Sequence, residues 1–209
     1  MFISVVVFIV PIVVVQWDKP IYFAGVLHGY SIFVDGQFYR FVTSMFMHSG
    51  AMHIVMNVLS LYLIGKVLEK LFHPLTYLSI YFVTGLFGSL LYLFVNLGGQ
   101  AVGASGAIFG MFGALAGFAW VHRKTMHGEF MQFMRSFGMI LLLNLGMGLA
   151  IPEIAMSAHI GGLIAGMISG VIMAKNPNYL WAYLLGSVVL VFLTFNYLSS
   201  LYAPSFLLH

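Results

Sequence analysis

Four polar residues in this sequence stand where polarity is costly: Ser105, His159, His53 and Asn57 each fall inside a long apolar run. An unpaired polar group in hydrocarbon costs several kcal/mol, so three apolar segments that each carry one are expected to meet at a shared site. The alternative is that each packs locally. Ser105 lies in Gly103-Ala104-Ser105-Gly106-Ala107-Ile108-Phe109-Gly110, where small residues leave its hydroxyl accessible. A hydroxyl is a weak nucleophile until a base takes its proton, and the intramembrane base on offer is His159. An imidazole with its ordinary pKa near 6.5 is mostly neutral at pH 7 and can accept that proton. The five acids, Asp18, Asp35, Glu69, Glu129 and Glu153, fall at run ends or in loops. A Ser-His dyad is therefore favoured over a Ser-His-Asp triad.

His53 and Asn57 are four apart, on one helix face, which suits two donors aimed at one oxyanion. The amides of the first turn at Ser105 would add to them, having no intrahelical acceptor. An interhelical hydrogen bond is the alternative for this pair. A metal site with His48 and His159 is disfavoured: no acid lies inside a run, and five-residue spacing puts His48 and His53 on separate helix faces. No cofactor is expected.

The elements that must carry these groups are membrane spans. The chain has 209 residues, 62% hydrophobic and 6% charged, against about 25% charged in a soluble domain. Its net charge of +3 comes from scattered residues with no basic run, which argues against a nucleic-acid partner. Cysteine is absent, which excludes a thiol nucleophile and disulfides. Seven apolar runs, at about 2–15, 52–71, 75–97, 103–121, 137–151, 155–174 and 179–201, predict an all-α polytopic bundle of about seven transmembrane helices. The first is read as an uncleaved span, and the aromatic, sparsely charged stretch 16–40 as a loop at the membrane interface. Residues 1–209 are expected to form one membrane domain, with a six-helix core over about 1–175 and an appended helix over about 179–201.

Two of these runs carry matching small-residue rows. Gly103, Gly106, Gly110, Gly113 and Gly117 recur at three or four residues, and Ala158, Gly162, Gly166 and Gly170 at four. Such rows let two helices approach closely, and the contact would bring the hydroxyl to the imidazole. Taken without the serine and histidine, the rows serve packing alone.

At this point the sequence resembles the rhomboid family of intramembrane serine proteases. Gly103-Ala104-Ser105-Gly106 is similar to the family's G-x-S-G. His53-Ile54-Val55-Met56-Asn57 is similar to its H-x-x-x-N, and Ala158-His159-Ile160-Gly161-Gly162 followed by Gly166 to its A-H-x-x-G-x-x-x-G. The resemblance implies a protease that cleaves in or beside transmembrane segments of other membrane proteins. It implies that Ser105 is the nucleophile, His159 the base, and His53, Asn57 and the Ser105 amide the oxyanion stabilisers. His48 matches an upstream structural histidine, and Glu69 the glutamate that often closes the second span. Tyr39-Arg40 stands where the family usually has Trp-Arg. Phe109 stands where some members have a tyrosine stacked on the histidine; the stacking can persist while the phenol hydrogen bond cannot. The extra run after His159 resembles the six-plus-one arrangement of some members. The alternative functions are a rhomboid-like protein without protease activity that binds membrane clients, and a transporter, for which the span interiors lack carboxylates.

With alternating spans, Lys66, Lys70, Arg123, Lys124, Arg135 and Lys175 fall on one side and only Lys19 and Arg40 on the other. The basic side is then cytoplasmic, with the amino terminus there and Ser105, His159 and His53 toward the outer face. Tags at the amino terminus and in the 123–128 loop should report cytoplasmic, and a tag near Asp35 should report outside. Finding the Asp35 region in the cytoplasm would reverse the orientation.

Overall fold

The computed structural model describes residues 19–125, 128, 131, 132, 134–136, 138, 139, 141, 142 and 155–206. The expected span at 2–15 and most of the one at 137–151 lie outside the described residues.

Within them the architecture is a helical bundle with five helices long and apolar enough to cross a membrane. The chain enters through three short helices, α1 (Lys19–Gly25), α2 (Gly29–Phe33) and α3 (Arg40–Thr43), with the strand β1 (Leu27–His28) between the first two. The stretch read as a loop is thus largely short helix. Buried Arg40 ties it together, donating to the Phe23 carbonyl at 2.9 Å, the Val26 carbonyl at 2.8 Å and Gln37 Oε1 at 2.7 Å. These bonds satisfy the carbonyls freed where α1 ends.

The long helices follow: α4 (Ala51–Leu71), α5 (Pro74–Val95), α6 (Ser105–His122), α7 (Met156–Lys175) and α8 (Leu180–Phe206). At about 1.5 Å per residue, the shortest of them, α6, measures roughly 27 Å, close to the hydrocarbon thickness of a bilayer. On α4 the buried residues Asn57, Leu61, Ile64, Gly65 and Leu68 form one stripe, while Met52, Val55, Leu59 and Leu63 are exposed. A helix with leucine and valine on its open face is built for lipid. Pro74 starts α5, where its missing N–H costs nothing, and the His73 ring accepts from the Leu75 amide at 3.3 Å. α6 is the centre of the bundle, buried without a break from Gly106 to Leu115 and packed against α4, α5 and α7.

The small-residue rows set the α6–α7 distance. A Cβ at Gly162 would overlap the Gly106 carbonyl oxygen, one at Gly166 the Gly110 carbonyl, and one at Gly170 the Ala114 carbonyl. In the other direction, Gly113 faces the Leu163 carbonyl and Gly117 that of Met167. Gly103 is not part of this stripe. It precedes the helix at φ +120°, a conformation open to glycine, and its N–H donates to the Ser44 carbonyl at 2.9 Å.

Gly166→Ala should therefore lower thermal stability in detergent by about 1–3 kcal/mol, the usual cost of overpacking. At Gly186 on α8 an added Cβ meets nothing within 4 Å, so Gly186→Ala should be neutral or slightly stabilising. Equal melting temperatures for the two variants would remove backbone contact as the packing constraint.

Candidate active site

α4, α6 and α7 all begin at the same end of the bundle, and the polar residues of the sequence stand in their first two turns. Ser105 opens α6, and His159 follows Met156 by three residues on α7. Ser105 Oγ and His159 Nε2 are 2.7 Å apart, a hydrogen bond between residues 54 apart in sequence. The ring of His159 is buried and lies flat on Phe109, with centroids 4.2 Å apart and planes 6° from parallel. Phe109 is one turn beyond Ser105, so a single helix presents both the hydroxyl and the surface that orients the imidazole. His159 Nδ1 is buried and has no hydrogen-bond partner among the described residues. With Nδ1 carrying the proton, Nε2 has its lone pair toward the hydroxyl, the arrangement for accepting the serine proton.

His53 and Asn57 face the same place from α4. A Cβ at Gly103 would stand 2.8 Å from His53 Nε2 and 3.7 Å from Asn57 Nδ2. The tautomer of His53 follows from its neighbour, Ser49. The Ser49 amide, 3.4 Å from His53 Nδ1, can only donate, which makes Nδ1 an acceptor and leaves the proton on Nε2. That N–H points toward Gly103. Asn57 is buried, and one of its amide hydrogens goes to the His53 carbonyl at 3.1 Å, leaving the other for a ligand. The first helical bond of α6 runs from the Ile108 amide to the Ala104 carbonyl at 3.0 Å, and Ala104 offers no capping side chain. The amides of Ser105, Gly106 and Ala107 therefore lack intrahelical acceptors.

Among the supporting residues, Gly106, Gly162 and Gly166 lie in the α6–α7 contact, and Glu69 lies in the last turn of α4. His48 departs from expectation. Its spacing from His53 would separate the two faces on a continuous helix, but α4 begins only at Ala51, and His48 sits in the irregular stretch before it. The two rings meet edge to face at 5.0 Å. Burial, reinforced by His53 and opposed by the Phe46 carbonyl, pushes the His48 imidazole down to about 4.

Sequence reasoning passed over Ser44, Ser49 and Ser89. Ser44 and Ser89 line a cavity of about 20 Å³ beside Ser105 and Gly103, enough for about one water. Ser49 stands in the bend ahead of α4, where helix spacing could not have marked it.

A bundle of apolar spanning helices with a serine and a histidine hydrogen-bonded in its interior defines a multi-pass membrane protein with a buried polar centre. The Rhomboid domain model matches residues 35–176, and the chain belongs to the rhomboid family. It is 34% identical to the rhomboid protease GluP of Bacillus subtilis (strain 168) over 181 residues, 84% of this chain and 34% of that protein. It is 32% identical to RHOMBOID-like protein 5 of Arabidopsis thaliana over 147 residues, 69% of this chain and 47% of the relative. RHOMBOID-like protein 6, mitochondrial, of the same plant is also 32% identical, over 75% of this chain and 50% of its own length. The chain thus spans about a third of the Bacillus relative and about half of the two plant relatives.

The depressed His48 predicts a pH effect on stability. The fold favours the neutral ring, so this contribution is complete above about pH 6.5, the unfolded value, and is lost as pH falls toward 4. Melting temperatures measured at pH 7 and pH 4.5 should differ less for His48→Gln than for the wild type. An unchanged difference would mean that His48 is protonated without cost.

Proposed function

We propose that this protein is an intramembrane serine endopeptidase, in which Ser105 and His159 form a catalytic dyad that cleaves peptide bonds in or next to transmembrane segments of other membrane proteins. The observation that carries the reading is the 2.7 Å contact between Ser105 Oγ and His159 Nε2 inside a bundle of spanning helices. In the reaction, His159 Nε2 takes the hydroxyl proton as Oγ attacks the scissile carbonyl carbon. The oxyanion accepts hydrogen bonds from His53 Nε2–H, the free Asn57 amide hydrogen and the Ser105 N–H. Collapse expels the amine, which takes the proton from His159. A water then hydrolyses the ester with His159 again as base, and the small cavity beside Ser44 and Ser89 is a place to hold it.

The site is assigned to the outer face, on the six-to-two division of basic residues. The substrate is a membrane-spanning helix that must locally unwind, since a hydrogen-bonded helix withholds its carbonyls from attack. Glycine or proline near the cut lowers that cost.

The test uses purified protein reconstituted with single-span membrane proteins, with fragments read by mass, alongside a serine-directed phosphonate. Wild type should be labelled at Ser105. Ser105→Ala and His159→Ala should each lose labelling and cleavage while keeping their melting temperatures, and the double variant should be scarcely worse than either. Asn57→Ala should remain folded with turnover lower by about 10²–10³. Cleavage by Ser105→Ala freed of contaminating protease would overturn the reading. Retention of single-span proteins by an unlabelled wild type would instead indicate a client-binding protein.

A further inference from the structure

Helix α8 contributes no side chain to the Ser105–His159 pair, and its hydrogen bonds and ring contacts to the bundle lie near its two ends. Near its start, the Tyr183 hydroxyl lies 2.8 Å from Ser169 Oγ on α7. Between the ends it leaves a cavity of about 760 Å³ walled by α5, α7 and α8. At the far end, Leu198 and Tyr202 are 0% and 1% exposed on a helix whose other residues mostly face outward.

Tyr202 is held on two sides. Its ring stacks on Phe33 of α2, with centroids 4.7 Å apart, and meets Tyr30 edge-on at 5.4 Å. Its hydroxyl donates to the Leu93 carbonyl at 3.1 Å, near the end of α5. Gly29, the first residue of α2, has no room for a side chain, because a Cβ there would overlap that hydroxyl. Phe195, two turns earlier on α8, adds contacts to Phe33 at 4.9 Å and Phe38 at 5.5 Å.

Both of the walls that Tyr202 grips lead to the serine. Gly29 directly follows β1, which pairs antiparallel with β2 (Gln100–Ala101) in the register Leu27 with Ala101 and His28 with Gln100. Leu93 follows Tyr92, whose hydroxyl donates to the Gln100 carbonyl at 2.8 Å. Two residues beyond β2 is Gly103, and two further is Ser105. One core cluster joins Leu198 and Phe195 to Leu27, Ala101 and Ala158, the residue before His159. A ladder of two residue pairs is marginal by itself and keeps its register only when supported from outside.

We propose that Tyr202 is a positioning residue. Its ring wedges between α2 and the end of α5, sets β1, and through the β1–β2 pairing fixes the Gln100–Gly103 segment that delivers Ser105 to His159. The catalytic consequence rests on the serine-protease reading above, while the structural coupling does not.

The experiment measures hydrogen exchange, phosphonate labelling rate and turnover on full-length protein in detergent. Tyr202→Ala is compared with Tyr202→Phe, which keeps the wedge and loses one hydrogen bond, and with Leu193→Ala, an exposed position on the same helix. In Tyr202→Ala, exchange should rise together over residues 26–31 and 99–104 but not over 51–71. The labelling rate and kcat should fall at least about tenfold with KM little changed, since a misplacement near 1 Å can cost about a hundredfold. Tyr202→Phe and Leu193→Ala should stay close to wild type in all three readouts. Should Tyr202→Ala fail to fold, Gly29→Ala, which crowds the ring from the other side, should give the same paired increase.

Wild-type exchange over 99–104 in a folded Tyr202→Ala would overturn the coupling, as would a uniform increase that includes 51–71. If the wild type itself is not labelled, the serine-protease reading fails, and exchange alone decides whether Tyr202 holds the segment.

Discussion

The bundle depends on the contact of two backbones. In lipid no hydrophobic force drives helices together, so association rests on van der Waals contact and on polar groups that find each other. Along α6 and α7, Gly106, Gly110 and Ala114 present carbonyls where Gly162, Gly166 and Gly170 have no side chain to keep them away. His159 reaches Ser105 because the two main chains touch directly below it. A Cβ at Gly162, one turn from His159, would push the helices apart at the level of the pair. The same glycine rows that read as packing alone are therefore what makes the 2.7 Å contact attainable.

The polar groups of the membrane interior answer to a second constraint: with little water available, most are satisfied by protein, the buried Tyr81 hydroxyl being an exception among the described residues. Thr84 bonds back to the Tyr81 carbonyl, Ser169 to the Ala165 carbonyl and to Tyr183, and Asn57 to the His53 carbonyl. Each of these bonds lies within one helix or ties two helices together. Around Ser105 the pattern changes. His53 Nε2 and Asn57 Nδ2 both approach Gly103, two residues before the start of α6, where the first amides have no intrahelical acceptor. Under the proposed function, a developing negative charge is the acceptor these donors would share.

Legibility followed the range of the contacts. Asn57 and His53 could be paired from a spacing of four, and the glycine rows from their period, because a helix converts spacing into direction. The alternation of spans placed the starts of three helices at one end of the bundle, and the Ser105–His159 bond and the approach of His53 to Gly103 put them there. The misreading of His48 has a local cause: helix logic was applied to a residue that precedes the helix start at Ala51. Gly103 was counted with the stripe although it serves the chain reversal into α6, where φ +120° and a bond to Ser44 are required. Tyr202 and the β1–β2 pairing were out of reach, since a two-residue strand has no periodicity and a contact 109 residues away leaves no local trace.

How the imidazole is oriented is the remaining question of physics. In a triad a carboxylate bonded to Nδ1 fixes the tautomer and the angle of the ring. Here Nδ1 meets no acceptor among the described residues, and the angle is set by Phe109, stacked 6° from parallel. Stacking constrains the tilt of the plane well but rotation within the plane poorly. That rotation is left to the serine bond on Nε2 and to the backbone contact that fixes the Cα of His159. As proposed, such a dyad would exchange electrostatic support of the imidazolium for steric definition. In the proposed dyad the glycine rows and the phenylalanine would take the orienting part that a buried acid plays in a triad, with no carboxylate at Nδ1 among the described residues.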